Sequence, residues 1–359
     1  MPTVEGMTST ATGPGATLST LEASPNKPRD KVRDPFLDNA RFWVMLLVVV
    51  GHFLTNMQEL PQVRGVYTWI FTFHMPAFIL ISGYTARNYV GDARQVKRMV
   101  STLVVPYVLT NIALDLTDAY FSGNPVNFDL LSPNWLTWFI AALFIWRLTT
   151  PFWTAVRWPV AIAVVVSLTA GLSDIDNVLA LKRVLAFLPF YVAGLYLRRE
   201  HFEMLSRAWV RTASVVALAA TLAVCQMQNQ EWIISWLYFN DSYDESPLLA
   251  DPVVGILTRG SLLVLGFVLS LAVLSLVPRG TAWFSAFGQR TLYCYLLHGF
   301  VVLLLAHLNF FDTMAGGGIY NAVAVALGAT VLAIVLMSGV VGRVFRPLLQ
   351  PRLDWVLKR

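Results

Sequence analysis

The sequence predicts an all-α integral membrane protein in which about ten transmembrane helices form one bundle. The first observation behind this prediction is composition: 56% of the 359 residues are hydrophobic, 13% are charged, and the mean hydropathy is +0.60. A water-soluble chain of this length is less apolar. The second observation is a series of apolar segments long enough to span a bilayer, and the third is the distribution of basic residues between them.

The first 35 residues precede all of these apolar segments. They are rich in Ser, Thr, Gly, Ala and Pro and show no apolar period, which is typical of a disordered tail. The first apolar run begins near Phe42, too late for the apolar core of a cleaved signal peptide. We therefore expect a disordered cytoplasmic tail over 1–35, a transmembrane bundle over 36–342 and a basic cytoplasmic tail over 343–359.

Ten segments are candidates for spanning helices, because each contains about 20 mostly apolar residues. The fifth is short and follows the fourth closely, so nine spans with a hairpin are the alternative. The candidates are 39–57, 66–86, 99–121, 135–156, 158–173, 177–197, 210–227, 253–276, 291–310 and 320–342.

The basic residues indicate the orientation of these spans. If the N-terminal tail is cytoplasmic, 21 of the 26 Lys and Arg residues fall in cytoplasmic segments, and the outer loops contain Arg64 alone. This bias follows the positive-inside rule, and it favours ten spans with both termini in the cytoplasm of a multi-pass plasma-membrane protein. Because the basic residues are dispersed between apolar runs, the pI near 9.3 does not indicate a nucleic-acid partner.

Four basic residues lie at helix ends or within helices. Snorkelling of a long side chain to the interface explains Lys182 more readily than it explains Arg183 and Arg259, which lie further from their outer helix ends. Arg41 opens the first span, and His52 follows eleven residues later. That separation is about 16 Å along a helix and returns to within roughly 20° of the same face.

The candidate catalytic residues are histidines within predicted spans. An ionisable group inside a span usually faces a partner or a wet cavity. His52 enters the bilayer from one side and His74, in the second span, from the other, so that both approach the same depth. We expect His52 to belong to a catalytic site, with a packing role as the alternative for each histidine.

The segment FTFHMPAFILISGY (71–84) predicts an irregular second span. A proline directly after His-Met disturbs a helix, and such irregular backbone is tolerated where it is buried in protein or lines a cavity. Ser82 and Gly83 near its end permit close approach of a neighbouring helix. A kinked packing helix is the alternative interpretation.

His298 lies about two turns into the ninth span, four residues after Cys294. A Cys–His nucleophile pair is conceivable, but a small residue one turn from a histidine is common in packed helices, so we assign Cys294 no catalytic role. The spacing of His, Cys, Asp and Glu predicts no metal site, and no glycine-rich nucleotide motif is present.

Several of these motifs together resemble acyltransferase family three, the polytopic membrane O-acyltransferases that modify glycans and other hydroxyl acceptors. Arg41 and His52 match its Arg-x10-His signature. Four further blocks follow in the order seen in the fucose-O-acetylase-like branch of that family, and the similarity covers roughly residues 34–310. The blocks are FHMPAFILISGY (73–84), WFIAALFIWRL (138–148), RVLAFLPFYVAGLYLRR (183–199) and FGQRTLYCYLLHGF (287–300).

The resemblance implies an enzyme that takes acyl-CoA, usually acetyl-CoA, as co-substrate from the cytoplasm and has no tightly bound cofactor. It implies His52 as the catalytic histidine and Arg41 as the second catalytic residue of the motif, with Asp38 as a candidate orienter of Arg41. We expect Arg41, at the cytoplasmic mouth of the bundle, to hold the phosphates of CoA or to position its pantetheine arm. The expected acceptor is a glycan, a glycolipid or a small glycoside, and the oligomeric state is left open. The acceptor-side candidates are His74, Trp138, Arg183, Arg259 and His298.

Two other functions compete with this interpretation. A transporter or exporter of a lipid-linked glycan also has buried charges and broken helices near the bilayer midplane. A membrane scaffold would use the same motif residues for packing alone, and it predicts that substitution of His52 destabilises the protein rather than inactivating it.

Overall fold

The structure is a computed structural model of the chain, and it describes residues 34–123, 125–126, 128–175, 178–228, 231–245 and 251–351. The predicted disordered tail lies almost entirely outside the described residues, as does the end of the predicted C-terminal tail. The described residues fold as helices and short connections, with no β-strand among them.

The helices are numbered in chain order. A 3-10 turn, Thr55–Met57, extends the first helix, a second, Val178–Ala180, leads into the eighth, and a π-helical stretch, Val100–Val104, joins the fourth to the fifth. The helices are α1 (Pro35–Leu54), α2 (Pro61–Phe71), α3 (His74–Ala86), α4 (Ala93–Met99), α5 (Val105–Ser122), α6 (Trp138–Ala155), α7 (Pro159–Ala170), α8 (Leu181–Tyr196), α9 (Arg199–Leu205), α10 (Ala208–Gln228), α11 (Glu231–Tyr238), α12 (Pro252–Leu276), α13 (Ser285–Gly288), α14 (Thr291–His307), α15 (Phe310–Ala315), α16 (Gly318–Leu336) and α17 (Gly339–Leu349).

The predicted all-α membrane class is confirmed, while the number of spans stays a prediction. Seven helical segments in the described part of the chain are long and apolar enough to cross a membrane: Pro35–Met57, Pro61–Ala86, Ala93–Ser122, Val178–Tyr196, Ala208–Gln228, Pro252–Leu276 and Gly318–Leu336. The three other predicted spans coincide with α6, α7 and α14. Of these three helices, α7 and α14 are apolar but shorter than a typical span.

Helix α1 lies inside the bundle, whereas α10 and α16 lie at its periphery. Most side chains of α1 are buried, among them Val44, Met45 and Val49, which have no exposed surface. The peripheral helices are equally apolar but bury few residues. A helix that is apolar on every side and half exposed suits contact with lipid, so these faces indicate the bilayer-facing surface.

Helices α3 and α8 cross at two glycines. A Cβ atom on Gly83 would overlap the carbonyl oxygen of Tyr191 and come within 3.1 Å of Cα of Gly194. A Cβ atom on Gly194 would overlap the carbonyl oxygen of Leu80. The predicted close approach at Gly83 is therefore present, and its partner is α8, the helix that contains Arg183.

The predicted irregularity of the second span is present as a break between α2 and α3, upstream of Pro76. Helix α2 ends at Phe71, Phe73 leaves helical geometry with φ −138° and ψ −19°, and α3 begins at His74. Pro76 then lies in the first turn of α3, where its missing N–H leaves no helical hydrogen bond unmade. Nδ1 of His74 lies 2.9 Å from the carbonyl oxygen of Ile70, which also accepts the backbone N–H of Phe73 at 3.3 Å.

Candidate active site

One cavity of about 360 Å³ lies at the end of the bundle where α1 and α14 finish. It contains two histidines and one arginine from three helices: His52 of α1, His74 of α3 and Arg183 of α8. The rest of its wall is mostly aromatic and aliphatic. The aromatic lining residues are Tyr67, Phe71, Trp135, Trp138, Phe187, Tyr238 and Tyr295.

His52 is half-buried and hydrogen-bonded to a second histidine. Its Nδ1 lies 2.8 Å from Nε2 of His298, and the two rings are parallel within 4°. The ring of Trp135 meets His52 edge-on at 5.1 Å. His298 is fully buried, and its own Nδ1 lies 2.9 Å from the carbonyl oxygen of Cys294. The sequence predicted His298 as an acceptor contact, but it lies behind His52 and is not part of the cavity wall.

Trp135 contacts His52 because hydrogen bonds to one asparagine of α5 hold the segment before α6 in place. Oδ1 of Asn111 accepts hydrogen bonds from the backbone N–H of Asn134, at 3.0 Å, and from the hydroxyl of Thr137, at 2.7 Å. The absence of a side chain at Gly299 leaves room for this segment on α14, since a Cβ atom there would overlap Leu136. The tryptophan is therefore held by polar contacts that no helical period predicts.

His74 presents a second imidazole to the same cavity. Its ring packs edge-on against Phe71 at 4.3 Å. The carbonyl of Ile70 can only accept, so Nδ1 of His74 donates to it and Nε2 is left as a hydrogen-bond acceptor. The cavity thus offers an acceptor nitrogen at His74 in addition to the ring of His52.

Arg183 is a cation that has no carboxylate partner among the residues that the structure describes. Within the described residues, none lies within salt-bridge distance of its guanidinium, and its buried Nε has no hydrogen-bond partner. The guanidinium lies over two aromatic rings, 5.1 Å from the centre of Trp138 and 6.0 Å from that of Tyr238. Asp241, in the segment after α11, acts on it at longer range, and burial raises the pKa of that carboxyl.

Around one cavity, this arrangement combines a potential base, a hydrogen-bond acceptor and a guanidinium that has no carboxylate partner among the described residues. Such a set suits a reaction in which a proton is removed and negative charge develops nearby. In the part of the chain that the structure describes, no three His, Cys, Asp or Glu side chains gather into a group that could hold a metal ion.

Comparison with known protein families decides the assignment. The model of a family described as "Acyltransferase domain" matches residues 34–338 and so covers most of the chain. The chain belongs to the acyltransferase 3 family. The matched range of this acyltransferase 3 protein includes every residue that lines the cavity. A search of curated proteins and a search of solved structures each found no match.

Two residues predicted for the site of this acyltransferase 3 protein lie at the far end of α1. Arg41 pairs with Asp38 at 3.3 Å, and Asp38 also accepts a hydrogen bond from Gln289. Neither residue lines the cavity that contains His52. The predicted pairing of Asp38 with Arg41 is therefore present, whereas the structure does not bring Arg41 and His52 together, and a role for Arg41 in binding CoA stays a prediction.

Arg259 was predicted for the acceptor side, but the structure places it elsewhere. Its guanidinium donates to the carbonyl oxygens of Ser167 and Asp241, at 3.2 and 3.0 Å, and lies 4.8 Å from the ring centre of Tyr243. It borders a separate small cavity. Through these hydrogen bonds Arg259 connects α12 to α7 and to the segment after α11. The sequence shows an arginine in a span but does not show that backbone carbonyls accept its hydrogen bonds.

Several cavity residues were missed by the sequence analysis. Tyr67 and Phe71 could have been found, because with His74 they follow a spacing of four and three residues and so share one face of a helix. Trp135 and Tyr238 could not, because they lie in a loop and at the end of a short helix. Tyr238 joins the site through a hydrogen bond between its hydroxyl and that of Tyr67.

Proposed function

We propose that the protein is a membrane-embedded O-acyltransferase that moves an acyl group, acetyl foremost, from acyl-CoA to a hydroxyl of a sugar, cell-envelope glycan or glycolipid. One observation carries the proposal: His52, at the histidine position of the family signature, lines a cavity with His74, Arg183 and Trp138. Membership of the fucose-O-acetylase-like branch and residence in the plasma membrane belong to the same proposal.

In this mechanism His52 is the general base. Its free ring nitrogen removes the proton from the acceptor hydroxyl while the oxygen attacks the thioester carbonyl carbon. The tetrahedral intermediate then expels the CoA thiolate, which takes up the proton from His52, so protons balance without a covalent enzyme intermediate. Proton transfer of this kind contributes about 10²–10⁴-fold to the rate.

Arg183 stabilises the negative charge that develops on the carbonyl oxygen. Its guanidinium has no competing carboxylate within salt-bridge distance among the described residues, and a preorganised donor in an enclosed site acts more strongly than it would in water. Nε2 of His74 accepts a hydrogen bond from a second hydroxyl of the acceptor, and Trp138 packs against the apolar face of a sugar ring. A hydroxyl-rich acceptor satisfies these groups better than an apolar one.

Acyl-CoA is a co-substrate that enters from the cytoplasm. Under the predicted orientation, the end of α1 that contains Arg41 faces the cytoplasm and the cavity lies in the outer half of the bundle. Guanidinium suits phosphate because it offers forked, permanently charged donors, so Arg41 is proposed to contact the phosphates of CoA. The acceptor then approaches from the opposite end.

The test compares purified His52→Ala with wild type and with His307→Ala. His307, the last residue of α14, lies outside the cavity and stacks on Phe121. Given acetyl-CoA and a cell-envelope extract, wild type and His307→Ala are expected to release CoA and acylate a glycan, whereas folded His52→Ala loses this activity by about 10²-fold or more. Normal acylation by folded His52→Ala protein would contradict the proposal.

Export of a lipid-linked glycan is the alternative function, and the break between α2 and α3 at the cavity is the observation that favours it. An exporter would move its substrate in proteoliposomes that contain no acyl-CoA. An acyltransferase would release CoA in detergent, where no membrane separates two compartments.

A further inference from the structure

His52, in the cavity wall, and His298, buried behind it, form a chain of hydrogen bonds that ends on a backbone carbonyl. Nδ1 of His52 lies 2.8 Å from Nε2 of His298, and Nδ1 of His298 lies 2.9 Å from the carbonyl oxygen of Cys294. The ring centres of His52 and His298 are 5.1 Å apart in nearly parallel planes. This separation suits an in-plane hydrogen bond between the ring nitrogens.

The carbonyl at the end of the chain determines where the protons lie. It can only accept a hydrogen bond, so Nδ1 of His298 must carry a hydrogen. Among the described residues no carboxylate lies within salt-bridge distance of either ring, and an unpaired charge is costly in an apolar interior, so both imidazoles are neutral. Nε2 of His298 is then an acceptor, which requires Nδ1 of His52 to be the donor.

The position of this proton determines the state of the other ring nitrogen of His52, Nε2. With its single proton on Nδ1, the neutral ring must carry its lone pair on Nε2. No described side chain hydrogen-bonds to that nitrogen, and His52 lines the cavity while His298 does not. The basic nitrogen of His52 is therefore the one that a substrate can reach.

We propose that His298 is a positioning residue that holds His52 in the tautomer with a basic Nε2 in the cavity, an inference that rests on the proposed function. When Nε2 takes the proton of the acceptor hydroxyl, His52 becomes an imidazolium, and its Nδ1–H bond to His298 gains strength because the donor is now charged. The proton leaves Nε2 again with the departing thiolate. His298 neither gains nor loses a proton in this cycle.

The role of His298 differs from that of the acidic residue that orients a histidine in a hydrolase triad. A carboxylate would bring a charge into this apolar interior, whereas a neutral imidazole anchored on a carbonyl fixes the tautomer without one. The thiol of Cys294 has no part in the chain, since the contact is with its backbone carbonyl.

The first test compares His298→Leu and His298→Gln, with His307→Leu as the matched control in the same helix. A glutamine side-chain oxygen can accept from Nδ1–H of His52, whereas leucine cannot. The expected result is that His298→Leu lowers kcat by about 10²-fold or more, with KM values for both substrates within threefold of wild type. The kcat of His298→Gln is expected to be at least about tenfold higher than that of His298→Leu. A residue that served packing alone would not produce this split, because both variants would lower the amount of folded protein and leave the activity of each folded molecule unchanged.

The second test measures the wild-type protein itself, and variants serve only to assign its signals. Nitrogen-15 NMR of histidine-labelled wild-type protein distinguishes protonated from unprotonated ring nitrogens, and spectra of His52→Ala and His298→Gln assign the signals. The expected spectrum shows His52 protonated at Nδ1 and unprotonated at Nε2. A proton on Nε2 of His52 would overturn the inference.

The outcomes separate this inference from the proposed function. If His52→Ala is inactive but His298→Leu retains the wild-type kcat, the positioning role is wrong and the acyltransferase proposal stands. If His52→Ala retains acylation while NMR finds the proton on Nδ1 of His52, the tautomer is correct and the general-base mechanism is wrong.

Discussion

At the scale of single residues, two arginines in spans show that the immediate surroundings determine the role of a charged side chain. Arg183 lies in the cavity over two aromatic rings with a buried Nε that has no partner, whereas Arg259 donates to two backbone carbonyls. Both side chains were candidates for the acceptor side on sequence grounds. The contacts leave Arg183 available for chemistry and commit Arg259 to structure.

Substitution of these arginines by methionine is expected to have opposite effects. Arg183→Met should lower kcat by about 10²–10³-fold, the usual loss when one donor to a developing oxyanion is removed, and should leave the melting temperature within a few degrees of wild type. Arg259→Met leaves two buried carbonyls without donors, so it should lower the free energy of unfolding by about 1–3 kcal/mol and keep the kcat of the folded fraction. Thermal unfolding in detergent and acyl-transfer kinetics measure both quantities. A melting temperature unchanged in Arg259→Met, or a kcat unchanged in Arg183→Met, would contradict the respective assignment.

At the scale of elements, the position of α8 depends on its contact with α3. Gly83 and Gly194 let the two backbones touch, and in a membrane such contact replaces the hydrophobic effect as the source of helix association. Because α8 contains Arg183 and α3 begins at His74, this contact joins the two helices that supply these cavity residues.

Gly83→Ala is therefore expected to destabilise the bundle. The new methyl group would overlap the carbonyl oxygen of Tyr191, and forcing extra volume into a packed contact costs about 1–3 kcal/mol. Gly328→Ala in α16 is the matched control, since a Cβ atom there meets nothing within 4 Å, and it should leave stability unchanged or slightly raised. Melting temperatures of the two variants in the same detergent test the contrast, and equal melting temperatures would show that α3 and α8 do not pack at these glycines.

At the scale of the whole molecule, the outer faces of the bundle are apolar. Val215 and Val216 on α10 and Val323, Leu327 and Val331 on α16 are all more than half exposed. Apolar faces of this kind would drive aggregation in water, and in a bilayer they are the faces that lipid covers. The exposed surface thus supports a multi-pass membrane protein independently of the family match.

The predicted orientation can be tested with single cysteines in intact cells. Ser206, between α9 and α10, and Val126, between α5 and α6, are exposed and lie on opposite sides of the predicted topology. A membrane-impermeant maleimide should label Val126→Cys in intact cells, and Ser206→Cys only after permeabilisation. The native Cys225 and Cys294 are replaced by alanine in both variants, so that each carries one reactive thiol. The reverse pattern would place the cavity towards the cytoplasm.

The sequence by itself determined the class of the protein, the position of most helices, and the family signature at Arg41 and His52. These features depend on local order: an apolar run must be helical in a bilayer because no other partner satisfies its backbone, and a motif is a spacing along one chain. The sequence also pointed to His74 and Gly83, since a histidine or a glycine in a span stands out against its apolar neighbours.

Tertiary structure alone decided which of the candidate residues meet. His52 and His298 are 246 positions apart, Trp135 lies in the turn before α6 and Tyr238 at the end of the short helix α11, and the partners of Arg259 are backbone carbonyls that any sequence supplies. Contacts between distant segments arise from how helices pack, and packing depends on the volume and shape of many side chains at once. The helical period could therefore place His52 within the bundle, whereas only the folded chain placed a second imidazole behind it.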